Sequence, residues 1–289
     1  MQITRMRHTT SAVISAVAVG ALIPSGVAFA SSTTSAAIAP AVTTCSCARG
    51  GDLFTIKSDK TGLKRLTNRG DILNAEWSPD KSKIAFTAEV NGNTDVYLMS
   101  STGTGTRRLT FGAARDEDVT WSPNGKTLLF TSFTNCTSDI FKVNVAPGSR
   151  PVRFTRAQCD SVSDYFERAD WHPDGTKILV WHGYYDGGPG GGGWTAETRS
   201  ATTGALIKDL GMDVLDMGWS PNGLQIAGTV PAYYADTYKD NVGLWSATGR
   251  KLNDVTTSNE TYATSFAAWS PDGWRCPTRP RDPRRHGRR

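Results

Sequence analysis

Five copies of one short phrase constrain this chain more than any other feature. W-S-P-D-K stands at 77–81, W-S-P-N-G at 121–125, W-H-P-D-G at 171–175, W-S-P-N-G at 219–223 and W-S-P-D-G at 269–273. Successive tryptophans lie 44, 50, 48 and 50 residues apart. Self-similarity at such a period means one supersecondary unit built several times, and about 40–50 residues is the length of a four-stranded propeller blade.

Each unit reads as a meander. In the second, ILNAEWS, KIAFTAEV, DVYLMSS and RRLTF are β-rich runs separated by the turn segments PDKS, NGNT and TGTGT. The third unit repeats the order. The first shows only two outer strands, within residues 52–67. The phrase itself is a tight turn: Pro presets φ, Asp or Asn bonds nearby backbone, and Gly tolerates φ > 0. Lys81 stands where the other four units have Gly, so its turn is expected to be slightly strained or differently shaped. Trp77, Trp121, Trp171, Trp219 and Trp269 supply large apolar surfaces and are expected between neighbouring blades. The fold class is therefore all-β, a β-propeller of four-stranded antiparallel blades. Five blades are visible, a six-bladed parent is expected, and the C-terminal end looks truncated.

The phrases W-S-P-D-G, K-I-A-F, D-V-Y-L-M-S and R-R-L-T, in that order, resemble the propeller repeat of the TolB family over roughly residues 50–273. The resemblance implies a propeller that binds other proteins at an envelope or cell surface. TolB proper carries an additional domain before its propeller, and only a short Ser/Thr-rich segment is expected here.

Residues 1–30 read as a signal peptide. Arg5 and Arg7 precede an apolar run from Ala12 to Ile23, and Ala28-Phe29-Ala30 is a small-x-small cleavage site. The expected address is secreted, periplasmic or cell-envelope, with cleavage after Ala30 and no membrane span. Residues 31–44 form a Ser/Thr/Ala-rich lead-in, 45–273 the propeller repeats and 274–289 an Arg/Pro-rich tail without order. The tail breaks off abruptly inside a repeat, as a lost coding frame near Gly273 would; a basic arm for an acidic partner is the alternative. Of the net charge of +5, +2 lies in the leader and +6 in the last sixteen residues, which leaves −3 for residues 31–273. A nucleic-acid footprint needs a clustered basic face, so none is expected.

Enzyme signatures are absent from the sequence: no G-x-S-x-G elbow, H-E-x-x-H or Walker loop. The Gly-rich run at 186–193 lies between strands and reads as a hairpin loop. His182 has no partner evident in the sequence and reads as a structural or surface histidine. The expected function is non-catalytic binding of a protein, peptide or glycan through loops at the mouth of the channel, by a monomer. The alternatives are the propeller part of a prolyl-oligopeptidase-like peptidase or a metal-dependent propeller hydrolase.

Candidate ligand residues are Tyr184, Tyr185 and Trp194 in one loop and Tyr233, Tyr234 and Tyr238 in the equivalent loop of the next blade, because such rings combine apolar area with a polar tip. Rings folded down as lids on their own blades are the alternative. Asp71, Asp118, Asp170 and Asp216 recur shortly before their tryptophans. Together they are candidate channel-mouth carboxylates for a hard cation such as Ca²⁺, or local backbone acceptors. No other cofactor or metal ligand set is expected. Cys136 and Cys159 sit in loops that meander alternation brings to one face, so they are expected to form a disulfide. Cys45, Cys47 and Cys276 remain unassigned.

Overall fold

The computed structural model describes residues 41–43, 51–57, 61–159, 163–185, 192–214, 216–230, 241–256, 264–265, 269 and 279–280. Every element among them is a β-strand. The first unit contains β1 (Ala41–Thr43), β2 (Phe54–Ile56) and β3 (Lys64–Arg65). The second comprises β4 (Ile72–Trp77), β5 (Lys83–Val90), β6 (Asn93–Ser100) and β7 (Arg107–Arg108). In the third are β8 (Arg115–Trp121), β9 (Thr127–Phe133), β10 (Ser138–Asn144) and β11 (Val152–Arg153). The fourth has β12 (Ser163–Trp171), β13 (Lys177–Tyr185), β14 (Gly192–Ser200) and β15 (Leu206–Asp209). The fifth has β16 (Met217–Trp219), β17 (Gln225–Val230), β18 (Asn241–Ser246) and β19 (Lys251–Asp254).

Within the second to fifth units, consecutive strands pair antiparallel, as the alternation of β-rich runs and turns predicts. A single parallel contact, Ser138 with Tyr165, joins the third and fourth sheets. The first strands β4, β8, β12 and β16 approach one another in series, so they are the inner strands. At the C-terminal end, β20 (Thr264–Ser265) pairs with β21 (Arg279–Pro280), two residues of the arginine-rich tail. Among the described residues no strand pairing joins β20 to the first unit.

Apolar side chains of one sheet face pack on the next unit. Ala85, Val96 and Leu98 of the second unit meet Val119, Trp121, Leu128 and Phe130 of the third. Leu129 and Ile140 meet Phe166, Trp171 and Ile178, and Leu179 and Ala196 meet Trp219 and Ile226. The phrase tryptophans Trp121, Trp171 and Trp219 are buried in these layers, as expected of a residue that serves the repeat. Lys81 has φ 59°, close to the 67°, 73° and 71° of Gly125, Gly175 and Gly223. The lysine is therefore held in the left-handed conformation its turn requires, at a cost glycine does not bear.

A polar pin closes each of the first three units. Thr67, Thr110 and Thr155 accept a backbone hydrogen bond from Leu53, Val96 and Ile140 at 2.9, 3.0 and 2.9 Å. The same hydroxyls donate to Asp52, Asp95 and Asp139 at 2.9, 3.2 and 2.8 Å. Arg65, Arg108 and Arg153 complete each pin by ion pairing with that aspartate. The outer strands β3, β7 and β11 have two residues each, too few for a ladder alone to hold. In the fourth and fifth units the outer strand has four residues; the fourth keeps a reduced pin, Thr195 donating to Asp209 at 2.6 Å, and in the fifth the Val242 N–H donates to Thr256 Oγ1 at 2.9 Å.

Candidate functional site

The hairpin of β13 and β14 is the most exposed aromatic feature of the fourth unit. Its register pairs Gly183 with Trp194, Tyr184 with Gly193 and Tyr185 with Gly192. Tyr184, Tyr185 and Trp194 are therefore strand residues, not members of one loop as the sequence suggested. Glycine suits the start of pairing at Gly192, where φ is 155° and a Cβ would lie 2.9 Å from the Tyr184 carbonyl oxygen. Tyr184 and Tyr185 are 45% and 52% exposed. Alternation sends them to opposite faces. Trp194 stacks on Trp181, with ring centroids 6.4 Å apart and planes at 24°. Tyr233, Tyr234 and Tyr238 lie outside the described residues.

Beneath Tyr184 lies a charged network that the sequence did not reveal. His182 Nδ1 is 2.6 Å from Glu197 Oε1, and its ring stacks on Phe166 at 4.4 Å. Its Nε2 faces Asp164 at 3.6 Å, is closed off from solvent and has no hydrogen bond. Arg199 Nε donates to the other oxygen of Glu197 at 2.7 Å, and its guanidinium lies 4.5 Å from the Phe166 ring centroid. The histidine's partners sit 18 residues upstream and 15 downstream. Only the strand register brings them together.

The four candidate carboxylates occupy three different settings. Asp118 and Asp216 both precede their tryptophan by three residues, as does Arg168. Asp118 and Arg168 have φ 53° and 52° at register shifts in β8 and β12. Such a bulge re-aims a side chain. Arg168 pairs with Asp216, the residue immediately before the next inner strand. Burial raises the Asp118 carboxyl above its ordinary range, with the charge of Arg168 opposing and that of Asp216 adding. Asp170 instead turns to the next unit and accepts the backbone N–H of Trp219 at 2.7 Å. Burial pushes it up to about 6, against its hydrogen bonds from Trp219 and Trp171. Asp71 pairs with Arg69 at 2.9 Å.

Glu76 was missed by the sequence reading and is the counterpart of Asp170, each standing one residue before its tryptophan. Its carboxyl accepts from the backbone N–H of Trp121 at 3.1 Å. Burial first, and then the charge of Asp170, push it up to about 8. Among the described residues no group of three or more His, Cys, Asp or Glu side chains is arranged to hold a metal ion. Cys136 and Cys159 are joined, with Cα atoms 5.8 Å apart, and link the β9–β10 turn to the segment leaving β11. That segment covers the start of β12, where Asp164 N–H donates to Gln158 O at 3.1 Å.

Successive four-stranded meanders, inner strands in series and tryptophans packed between neighbouring sheets define a β-propeller. The chain belongs to the family of the Tricorn protease N-terminal β-propeller domain, whose sequence model matches residues 42–273. It is also TolB-like. A stretch of 70 residues is 33% identical to the Tol-Pal system protein TolB of Anaeromyxobacter dehalogenans, over 24% of this chain and 16% of the relative. The match thus spans about a sixth of that protein's length. Among solved structures, the putative TolB from Agrobacterium tumefaciens superposes with TM-score 0.56 at 20% identity, over 77% of this chain and 80% of that one. A puromycin-hydrolyzing peptidase from Mycobacterium tuberculosis shares the fold with TM-score 0.55 at 15% identity, over 79% and 38%.

Proposed function

We propose that this protein is an exported, non-catalytic propeller that binds an extracellular or envelope protein, peptide or glycan at the channel-mouth end of its fourth and fifth units. The observation that carries this reading is the pair of half-exposed tyrosines, Tyr184 and Tyr185, at the end of a hairpin of two nine-residue strands. Rigid aromatic rings with polar tips give contact area at low entropic cost. The equivalent segment of the fifth unit contributes Tyr233, Tyr234 and Tyr238 to the same proposal. The name of the TolB relative, a Tol-Pal system protein, supports an envelope setting and a protein partner.

The peptidase reading has weaker support, since the likeness to the puromycin-hydrolyzing enzyme is one of fold. The test compares wild-type protein with the Tyr184→Ser/Tyr185→Ser double variant, each immobilised and probed with envelope extract, peptide libraries and a glycan array. The expected result is a ligand retained by wild type and lost by the variant, with melting temperatures within a few degrees of each other. A variant that unfolds shows the rings to be core; one that retains the ligand places binding elsewhere.

A further inference from the structure

His182 joins three strands of the fourth unit through one ring. It stands on β13, with Glu197 of β14 at Nδ1, 2.6 Å away, and Asp164 of β12 at Nε2, 3.6 Å away. Both nitrogens face carboxylate oxygens, and only the imidazolium presents a proton to each. The neutral ring, still donating to Glu197, would aim the Nε2 lone pair at a carboxylate in a space closed to water. The ring lies between the stacked Phe166 and Tyr184, whose centroid is 6.3 Å away. The other charged neighbours are Arg199, bound to Glu197, and Asp209 of β15, whose carboxylate feels the histidine's charge. The third unit faces this side of the sheet with uncharged Leu129 and Ile140, and its Ser138 donates to Glu167.

We propose that His182 is a proton-operated latch that ties β12, β13 and β14 together beneath the exposed Tyr184, fixing the aromatic hairpin when charged and loosening it when neutral. The consequence for ligand binding rests on the function proposed above, whereas the latch itself does not. Burial works against the charge, but the Glu197 hydrogen bond, the Glu197 charge and then Asp164 outweigh it and hold His182 above the ordinary histidine value. A raised value in the folded state means that the latch is fully made below about pH 6.5, the ordinary value, and is lost as pH rises through the raised one. Glu197 is held below its usual range: burial opposes this, and His182 and Arg199 prevail. Mild acid therefore leaves the latch intact.

The experiment follows amide exchange of the wild-type protein at Tyr184, Tyr185 and Trp194 from about pH 5 to 8.5, corrected for intrinsic rates, beside the ¹⁵N shifts of the His182 ring. Hairpin protection is expected to fall through the pH at which Nε2 loses its proton, about tenfold for each unit by which folding raises the ring's pKa. In Glu76→Gln, which removes the second unit's own titrating carboxyl, Val96 and Leu98 should show no such step. His182→Asn, which keeps a short neutral donor, should show the lower protection at every pH. Protection that stays level while the ring titrates overturns the proposal, as does a step that persists in His182→Asn. Should that variant not fold, the coincidence or separation of the two wild-type curves decides. A coincident step in a protein that captures no ligand upholds the latch and removes only the binding reading.

Discussion

Glu76 and Trp121 are tied twice across the boundary between the second and third units. The indole Nε1 of Trp121 donates to the Glu76 carbonyl at 3.1 Å, and the Trp121 backbone N–H donates to the Glu76 carboxyl at the same distance. The first contact recurs between Trp269 and the Gly218 carbonyl at 3.0 Å, and the second between Trp219 and the Asp170 carboxyl. At these boundaries the phrase tryptophan registers neighbouring units by hydrogen bonds as well as by apolar packing, whereas the indole N–H groups of Trp77, Trp171 and Trp219 are buried without a hydrogen bond.

Glu76 should make the fold less stable as pH rises. Its folded pKa of about 8 lies above the ordinary value, so the native state binds a proton that the unfolded chain releases, and stability falls between about pH 4.5 and 8. Glu76→Gln keeps an acceptor for Trp121 and removes the proton. It should be more stable than wild type at pH 8, by on the order of 1–3 kcal/mol, with the gap closing toward pH 4.5. Urea unfolding at both pH values measures this; equal gaps would place the Glu76 carboxyl in water.

Lys81→Gly should stabilise the protein. The left-handed conformation at φ 59° costs a non-glycine residue about 1–2 kcal/mol, of which about 0.4–1 is returned because glycine is freer in the unfolded chain. A net gain of roughly 0.5–1 kcal/mol should raise the melting temperature by about 1–4 °C. A lower melting temperature would show that the lysine stem makes contacts worth more than the strain.

Removing the Cys136–Cys159 bridge should cost about 3 kcal/mol, since the crosslink spans a sequence separation of 23 residues. Cys136→Ser/Cys159→Ser, compared by denaturant midpoint with oxidised wild type, checks the figure. Because the bridged segment lies over the start of β12, exchange protection should fall most at Asp164 and its neighbours. Uniform loss across all units would assign the effect to the unfolded chain alone.

Asp139→Ala should be among the more damaging single changes, at about 2–4 kcal/mol. The carboxylate is buried and holds Thr155 Oγ1, the Ala157 N–H at 2.8 Å and Arg153. Its loss strands the Thr155 hydroxyl and the Ala157 N–H, while Arg153, 43% exposed, turns to solvent. The reduced pin of the fourth unit, Thr195 with Asp209 on a longer ladder, predicts that Asp209→Ala costs clearly less. Comparable losses at both positions would mean that ladder length does not substitute for the pin.

Much of the fold was legible because a propeller blade is local. The turn chemistry of W-S-P-D-G, the alternation in KIAFTAEV and the repeat period each reside within a few dozen residues, and each specifies the same meander. Even the strain at Lys81 could be read from four glycines in equivalent places. The Cys136–Cys159 pairing followed from counting which strand ends share a face. What pairing length and register decide was less visible. Tyr184, Tyr185 and Trp194 became strand residues because glycine permits β14 to start pairing at Gly192, two residues before the tryptophan.

The sequence by itself therefore determined the repeating unit, its turns and the layers of tryptophan between units, because those depend on period and on the intrinsic geometry of single residues. Tertiary structure alone decided the electrostatics. Glu76 acquired its raised pKa from burial at the boundary with the next unit and from the charge of Asp170, Arg168 found Asp216 across a bulge, and His182 came to stand between Asp164 and Glu197 through two strand registers. Charge interactions depend on distance and burial in three dimensions, and neither quantity has a signature in the spacing of residues along a chain.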